Sequence, residues 1–216
     1  MTDGRKQHWE LAYDTGTTAE HSWYQAVPER SLEFIRAAGL RQDESILDVG
    51  GGDSLLVDYL LAQGYTDVSV LDLAPNALAV ARARLGAKAS RVRWITSDVL
   101  SFRPERRYAL WHDRAVLHFL PNPDERTRYL SVLDAALAPE GWVVLATFGP
   151  QGPDRCSGLA AQRYAPDEVG ALLGARFQLA RSALEDHQTP GGKVQQFSYG
   201  LWRCSAAGRG VRMADR

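Results

Sequence analysis

Short apolar runs alternate with amphipathic stretches along the middle of the chain. The predicted strands, each bounded by glycine, proline or polar residues, cover residues 45–49, 68–73, 91–95, 108–111 and 142–148. The predicted helices cover residues 30–39, 54–64, 74–86, 123–137 and 166–174. This alternation predicts a doubly wound parallel sheet, with any ligand bound at the carboxyl ends of its strands.

The last part of the chain has a different pattern. Residues 177–186 and 194–204 have the composition of two strands, and Thr189-Pro190-Gly191-Gly192 between them is a hairpin signal. We therefore expect an antiparallel hairpin at one edge of the sheet. We also expect one domain over residues 1–204, in which residues 1–40 form helices and a lid, and a flexible tail over residues 205–216.

Composition and charge narrow the possible functions. The chain has 216 residues, of which 45% are hydrophobic and 24% charged, and its formal net charge is -1. This balance gives no field that would attract nucleic acid or a membrane surface, so neither is expected as a partner. No apolar run approaches ~18 residues, and we expect no signal peptide. Cys156 and Cys204 lie far apart, so we expect a reducing, cytoplasmic location. Oligomeric state is left open.

The loop after the first predicted strand carries the first candidate chemistry. The sequence ILDVGGGDS, residues 46–54, places glycines 50–52 between a strand and a helix, where a ligand can approach the backbone closely. Asp48 precedes them, and a carboxylate there suits an ammonium or sulfonium group better than a pyrophosphate. The dinucleotide pattern G-x-G-x-x-G fails, because its third glycine would fall on Leu55.

Two further acids follow the next two strands. Asp72 ends the second predicted strand, where a carboxylate can accept from both ribose hydroxyls of a nucleoside. Asp98 follows the third strand, where it can accept from an adenine amino group. The three acids and the glycine loop therefore point to one nucleoside ligand that also carries a cationic group.

With LAPEG at 137–141, these residues resemble the class I S-adenosylmethionine-dependent methyltransferases. The resemblance covers roughly residues 46–204 and implies a Rossmann-like, mostly parallel seven-stranded sheet ending in an antiparallel hairpin. It also implies S-adenosylmethionine as cofactor, with Asp48 and the glycine loop at its methionine part. Ser54 departs from the pattern, since many members have a further glycine there. The implied cofactor-binding residues are Trp23, Asp48, Gly50, Gly51, Gly52, Asp53, Asp72, Leu73, Asp98, Val99 and His112.

Polar residues interrupt the apolar stretch LWHDRAVLHFL, residues 110–120. Burying His112, Asp113 and Arg114 in a row is costly unless each is paired or functional. The segment resembles thiopurine-type small-molecule methyltransferases and, less closely, some protein lysine methyltransferases. We expect Asp113 to orient Arg114 toward the acceptor, His112 to lie against the methionine part of the cofactor, and His118 to be a candidate base. The alternative is a surface turn with an Asp113–Arg114 ion pair.

Further candidates line the expected acceptor side. Trp9, Tyr13, Trp23 and Tyr24 resemble the lid segment of the thiopurine-type enzymes, although core packing would explain Trp23 and Tyr24 nearly as well. His112 and His118 are not spaced as a metal pair, and no metal is expected. The candidate substrate contacts are Tyr24, Phe119, Arg163 and Tyr164.

The sequence thus predicts an enzyme that methylates a small-molecule acceptor, for example a thiol or another soft nucleophile. A protein lysine methyltransferase and a non-catalytic cofactor-binding domain are the alternatives. A nicotinamide-dependent oxidoreductase is disfavoured by Asp48 and Leu55. No role is assigned to Cys156 or His187.

Overall fold

A seven-stranded sheet organises the part of the chain that the computed structural model describes, residues 2–205. The tail predicted over residues 205–216 lies, apart from its first residue, outside the described residues. The strands of this sheet are β1 (Ile46–Val49), β2 (Val68–Asp72), β3 (Val92–Thr96), β4 (Tyr108–Arg114), β5 (Leu137–Phe148), β8 (Phe177–Gln188) and β9 (Val194–Cys204). Two short strands, β6 (Arg155–Cys156) and β7 (Leu159–Ala160), form a separate ribbon.

The strand order is β3-β2-β1-β4-β5-β9-β8, with β9 antiparallel to both of its neighbours. The first five strands run parallel to one another. The prediction of a Rossmann-like, mostly parallel seven-stranded sheet that ends in an antiparallel hairpin is therefore confirmed.

Helices cover both faces of the sheet. They are α1 (Thr2–Asp14), α2 (Glu29–Ala37), α3 (Leu56–Ala62), α4 (Pro75–Leu85), α5 (Pro123–Ala136) and α6 (Pro166–Leu173). Proline occupies the first turn of α4, α5 and α6, where its missing N–H costs no hydrogen bond. The Asn122 side chain caps α5 by accepting from the backbone N–H of Asp124 at 2.9 Å.

Two apolar cores lie on opposite faces of the sheet, because side chains alternate along each strand. One core joins Leu110 of β4 to α2, α3 and α4, and it includes Phe197 and Tyr199 of β9. The other joins Trp111 of β4 to α5 and α6. Successive β4 side chains therefore face different cores. The same alternation decides on which face of the sheet His112, Asp113 and Arg114 lie.

Two boundaries near the site differ from the sequence-based prediction. Strand β4 continues to Arg114, because Asp113 and Arg114 pair with Leu145 and Ala146 of β5. Leu137, predicted to lie on the apolar face of α5, instead begins β5 and pairs with Tyr108. The chain passes from β3 to β4 without an intervening helix, as the predicted elements also have it.

Candidate active site

A cavity lies at the carboxyl ends of β1, β2 and β4, which is the expected ligand position for this fold. The loops after these strands and after β3 form its floor. The N-terminal part of the chain covers it with aromatic side chains, and β9 contributes Phe197. One continuous cavity is therefore lined by two of the predicted cofactor-binding acids, Asp48 and Asp72, and by some of the predicted acceptor-side residues, Tyr24, Arg114, His118 and Phe119.

The glycine loop forms the floor of the cavity beside β1. Its Gly50 and Gly52 have φ of 66° and 49°, in the left-handed region that favours glycine. A Cβ at Gly51 would lie 2.6 Å from Asp48 Oδ2, and one at Gly52 would lie 2.2 Å from Tyr13 Oη. The loop is anchored to β2, since Gly50 N–H donates to the Leu71 carbonyl at 2.7 Å. Only a loop without side chains at these positions leaves Asp48 accessible.

Asp48 is held from behind by a buried hydrogen-bond chain. It pairs with His112 across adjacent strands, and His112 Nδ1 lies 2.7 Å from Asp48 Oδ1. The other ring nitrogen, Nε2, lies 2.9 Å from Ser31 Oγ on α2. The Ser31 hydroxyl can donate to Nε2 while Nδ1–H donates to the carboxylate, which fixes the orientation of Asp48.

The prediction that His112 lies against the cofactor is therefore wrong in its placement. His112 does not line the cavity; it lies behind Asp48 and is almost fully buried. The physical reason is the β1–β4 pairing, which puts the imidazole and the carboxylate side by side at the same level of the sheet. His112 can act on a ligand only through Asp48.

Asp72 ends β2 at the cavity and is also largely buried. Its Oδ1 accepts from Ala74 N–H at 2.8 Å. Burial raises the pKa of Asp72 to about 7, although hydrogen bonds from the backbone N–H groups of Ala74, Gly52 and Leu73 lower it. A carboxylate so poorly solvated gains from any added hydroxyl donors, such as those of a ribose.

Asp98 lies beside the part of the cavity wall that Ser97 and Val99 form. Its Oδ1 accepts from Leu100 N–H at 2.9 Å. Its Oδ2 is buried and has no hydrogen-bond partner among residues 2–205, and the Arg5 guanidinium is 3.9 Å away. An amino group such as that of adenine would satisfy this oxygen.

An aromatic cluster from the N-terminal segment covers the cavity. Its members are Trp9, Tyr13, His21, Trp23 and Phe119, whose rings pack in edge and stacked arrangements. His21 stacks on Trp23 at 4.6 Å between centroids, and its Nδ1 lies 3.3 Å from Asp53 Oδ2. Helix α1 is fixed to α4 by Asn76, whose amide donates to the Glu10 carbonyl at 2.8 Å. Trp23, Tyr24 and Phe119 all line the cavity.

Arg114 lines the cavity. Its Nε donates to Tyr199 Oη at 2.9 Å, its Nη1 donates to the Trp23 carbonyl at 3.2 Å, and its guanidinium lies 4.2 Å from the centroid of the Phe197 ring. Its Nη2 is buried and has no hydrogen-bond partner among residues 2–205. That Arg114 faces the acceptor stays a prediction.

His118 also lines the cavity, fully buried among Phe119, Phe148 and Phe197. Its Nδ1 accepts from Phe148 N–H at 3.2 Å, so the ring proton of the neutral form is on Nε2. Burial, together with Arg114 nearby, lowers the pKa of His118 to about 3. The ring is therefore a hydrogen-bond donor toward the cavity, and the prediction of a general base at His118 is not supported.

Asp113 does not orient Arg114, in contrast to the prediction. Its side chain projects to the opposite face of the sheet, where it accepts from Val116 N–H at 2.7 Å, Leu117 N–H at 3.1 Å and Tyr129 Oη at 2.5 Å. Burial raises the pKa of Asp113 to about 6, partly offset by these donors. Alternation along β4 separates the two neighbours, so Asp113 stabilises the turn after the strand.

The structure also corrects two predicted substrate contacts. Arg163 is exposed and forms a backbone bridge with Phe148 outside the cavity lining. Tyr164 packs in the core on the α5 and α6 face of the sheet. Both follow from the hydrogen bond of Tyr164 N–H to the Phe148 carbonyl, which carries this segment away from the cavity mouth.

Several cavity residues were not found by sequence reasoning. Ser31, Phe197, Arg5 and Gln195 contribute to the lining, and Tyr199 supports it through Arg114. Cys156 also lines it, and burial raises the pKa of its thiol, which disfavours thiolate. These residues come from distant parts of the chain and share no local motif.

These residues fit S-adenosylmethionine. The unpaired Asp98 oxygen suits an adenine amino group, the poorly solvated Asp72 carboxylate suits ribose hydroxyls, and Asp48 suits a cationic methionine part. Leu73 and Val99 line the cavity between Asp72 and Asp98. The individual roles of these residues stay predictions.

Comparisons with known proteins agree with this fit. Residues 46–141 match a protein-family model described as "Methyltransferase domain". Over residues 46–141 the chain matches a methyltransferase domain, and with its fold this makes it similar to the class I S-adenosylmethionine-dependent methyltransferases, a family whose cofactor is S-adenosylmethionine. The resemblance found in the sequence is thereby confirmed.

Among curated proteins, the chain is similar to EEF1A lysine methyltransferase 2 of Mus musculus, with 21% identity over 161 residues. That alignment covers 67% of this chain, and the chain spans 65% of the length of the mouse protein.

Solved structures share the fold. The 1,6-didemethyltoxoflavin-N1-methyltransferase of Burkholderia thailandensis, solved with 1,6-didemethyltoxoflavin and S-adenosylhomocysteine, has a TM-score of 0.69 at 23% identity, covering 93% of this chain and 90% of that one. The N-methyltransferase NodS of Bradyrhizobium japonicum, solved with S-adenosylhomocysteine, has a TM-score of 0.68 at 19% identity, covering 94% and 98%. A structure described by the conversion of a disulfide bond into a thioacetal group during echinomycin biosynthesis has a TM-score of 0.74 at 18% identity, covering 93% and 91%.

No helix within residues 2–205 combines the length and the hydropathy that a membrane span requires. Within the same residues, no three histidine, cysteine, aspartate or glutamate side chains are grouped as a metal site would need.

Proposed function

We propose that this protein transfers the methyl group of S-adenosylmethionine to a small-molecule acceptor. The observation that carries the proposal is the single cavity whose lining includes both the acids Asp48 and Asp72 and the donors Arg114 and His118. A cofactor held by the first pair and an acceptor held by the second would share one enclosed space, as an in-line displacement requires.

When bound, S-adenosylmethionine supplies a methyl group on a sulfonium, ready for attack by a nucleophile. The chain itself would contribute binding, alignment and exclusion of water. Asp48, oriented by His112, would hold the charged methionine part, and the cluster around Trp9 and Trp23 would close the cavity.

The acceptor in this proposal is nucleophilic without help from a basic side chain. The free His118 nitrogen carries a proton, and burial keeps the Cys156 thiol protonated. A thiol deprotonated in solution, or another anionic or soft nucleophile, fits this site better than a lysine ammonium, which must first lose a proton. The similarity to a mouse lysine methyltransferase keeps a protein acceptor as the alternative.

Transfer of labelled methyl groups tests the proposal. The protein would be incubated with methyl-labelled S-adenosylmethionine and a panel of thiols, phenols, carboxylates and amines, with a mixture of lysine-containing proteins in parallel. We expect label in small molecules, and loss of that label in Asp72→Asn. Label found only in protein lysines would favour the alternative. Cofactor binding without any transfer would favour a non-catalytic domain.

The proposed partner is thus a small molecule, with no nucleic acid or membrane involved. The cytoplasmic location stays a prediction; Cys156 and Cys204 are both free in the structure. Domain boundaries at 1–204 likewise stay a prediction.

A further inference from the structure

Arg114 is a half-buried cation whose hydrogen bonding is incomplete. Its Nε and Nη1 have neutral partners, the Tyr199 hydroxyl and the Trp23 carbonyl. Its Nη2 is buried and has no partner among residues 2–205. An unmet buried donor of a guanidinium is costly, and an anionic acceptor is the group that satisfies it best.

The direct hydrogen-bond partners of this cation are neutral, and the carboxylate that acts on them is Glu185. The Tyr199 hydroxyl has a pKa raised by burial, the Cys156 thiol likewise, and the His187 ring has a pKa lowered by burial, so all three are uncharged near neutral pH. Glu185 on β8 raises the pKa of Tyr199 further. Within residues 2–205, no carboxylate forms an ion pair with Arg114, whereas four other half-buried arginines, Arg5, Arg30, Arg84 and Arg106, each have one.

A second unmet donor lines the same cavity. The proton on His118 Nε2 follows from the hydrogen bond that Nδ1 accepts from Phe148, and Nε2 is also buried without a partner in the described part of the chain. A histidine that donates from one fixed nitrogen, beside an arginine, recognises an oxygen that carries no proton. Phe119 and Phe148 pack against the His118 ring, and Phe197 lies near both the His118 ring and the Arg114 guanidinium.

We propose that the methyl acceptor is an organic anion with an apolar, aromatic-sized body, and that Arg114 Nη2 and His118 Nε2 together bind its carboxylate or phenolate oxygen. This inference rests on the proposed function and adds the chemical class of the acceptor to it. Arg114 supplies the charge, and His118 supplies a directed neutral donor. The phenylalanine rings pack against the apolar body of the anion.

Calorimetry on the protein saturated with S-adenosylhomocysteine tests this anchor without requiring turnover. The probes are benzoate and phenylacetate, each compared with its primary amide, which has nearly the same shape and no charge. We expect each carboxylate to bind at least about tenfold more tightly than its amide, a difference of about 1.4 kcal/mol. Equal affinities, or no binding of either carboxylate, would overturn the proposal.

Variants separate the two donors. Arg114→Met should abolish the preference for the carboxylates, and Arg114→Lys, which keeps the charge without the planar fork, should retain part of it. His118→Phe should reduce the preference about tenfold, whereas His118→Gln, whose amide nitrogen reaches the position of Nε2, should largely keep it. A full preference in Arg114→Met contradicts the inference.

Affinity for S-adenosylhomocysteine is the control in every variant, because neither side chain is assigned to the cofactor. Failure of wild-type protein to bind S-adenosylhomocysteine would count against the proposed function. Normal cofactor binding without a preference for carboxylates would count against this inference alone. If His118→Phe does not fold, the comparison of Arg114→Met with Arg114→Lys decides the outcome.

Discussion

Adjacent residues of β4 have separate roles because a strand presents them to opposite faces of the sheet. Asp113 accepts three hydrogen bonds in the core beneath the turn, and Arg114 lies in the cavity wall. Their proximity in sequence indicated a functional pair, but the pairing of β4 with β5 places the two charges in different environments.

Replacement of Asp113 should therefore affect stability and not ligand binding. In Asp113→Asn the side chain keeps its size but can no longer accept from all three donors, two of which are backbone N–H groups. We expect the free energy of unfolding to fall by about 1–3 kcal/mol, measured by urea denaturation. Affinity for S-adenosylhomocysteine should stay within about twofold of wild type. A stable Asp113→Asn protein with impaired methyl transfer would instead restore the catalytic role predicted from sequence.

Asp72 should make cofactor binding depend on pH. Its pKa is raised to about 7 by burial, so a proton competes with the ribose hydroxyls below that pH. We expect affinity for S-adenosylhomocysteine to increase between about pH 6 and about pH 8, and Asp72→Asn to weaken it by about 1.5–3 kcal/mol at the higher pH. Calorimetry at several pH values measures both effects. If the affinity of the wild-type protein for S-adenosylhomocysteine did not change with pH and equalled that of Asp72→Asn, Asp72 would not bind the cofactor.

The same residue should affect the stability of the ligand-free protein in the opposite direction. The pKa of Asp72 is higher in the folded state than its reference value of 3.8, so the folded protein binds the proton more tightly. Its contribution to the free energy of unfolding therefore falls as pH rises from about 4 to about 7. Because Asp113 titrates in the same direction, the quantity to measure is the difference between wild type and Asp72→Asn. Between about pH 4 and about pH 7, the free energy of unfolding of Asp72→Asn should increase relative to that of wild type.

At the scale of elements, the glycine loop and α1 form the two sides of the cofactor half of the cavity. Tyr13 of α1 contacts Gly52 so closely that a Cβ at Gly52 would overlap the tyrosine hydroxyl. Asn76 of α4 fixes the end of α1 through the Glu10 carbonyl and Asp14. Helix α1 is thus held over the loop by contacts at both of its ends, since Arg5 also pairs with Glu125 at 2.6 Å.

A matched pair of glycine substitutions tests this contact. Gly52 and Gly39 both have positive φ, 49° and 68°, but a Cβ at Gly39 has no atom within 4 Å. Both Gly52→Ala and Gly39→Ala should lose about 1–3 kcal/mol of stability from backbone strain. Only Gly52→Ala should also weaken the binding of S-adenosylhomocysteine, by about tenfold or more, because the added methyl group displaces Tyr13. Equal cofactor affinity in the two variants would show that the contact is unimportant.

The elements that sequence could predict are those with a local signal. Apolar runs bounded by glycine and proline located the strands and the main helices, and the acids at the ends of β1 and β2 followed from that placement. The end of β4 could not be located, because its last residues are strand only through pairing with β5. Leu137 was assigned to α5 because the helical periodicity of apolar residues continues one residue beyond the end of the helix.

The acceptor side was predicted less well because distant segments build it. Arg114 meets Tyr199, 85 residues later, and Trp23, 91 residues earlier, and no periodicity or motif encodes such contacts. The substrate roles assigned to Arg163 and Tyr164 assumed that the loop after β5 folds over the cavity. Only the earlier part of that loop, at Cys156, lines the cavity, whereas a backbone hydrogen bond from Tyr164 to Phe148 fixes the end of the loop outside the lining.

Across the whole molecule, the N-terminal segment and the terminal hairpin close the cavity together. His187 of β8 lies 2.8 Å from the Ser22 carbonyl, and Arg181 of β8 pairs with Glu33 of α2. Arg114 joins the two regions to the sheet, since it donates to both Trp23 and Tyr199. The cavity is therefore enclosed by segments from both ends of the described chain, which suits a small ligand better than a protein loop.

Calorimetric titration of the purified protein with S-adenosylhomocysteine and, separately, with a nicotinamide dinucleotide tests the central claim most directly. The acids at the ends of β1, β2 and β3 predict binding of S-adenosylhomocysteine with a dissociation constant in the micromolar range, a free energy of about -8 kcal/mol, and no heat with the dinucleotide. Folded protein that gives no heat with S-adenosylhomocysteine or S-adenosylmethionine, but binds the dinucleotide, would contradict the account.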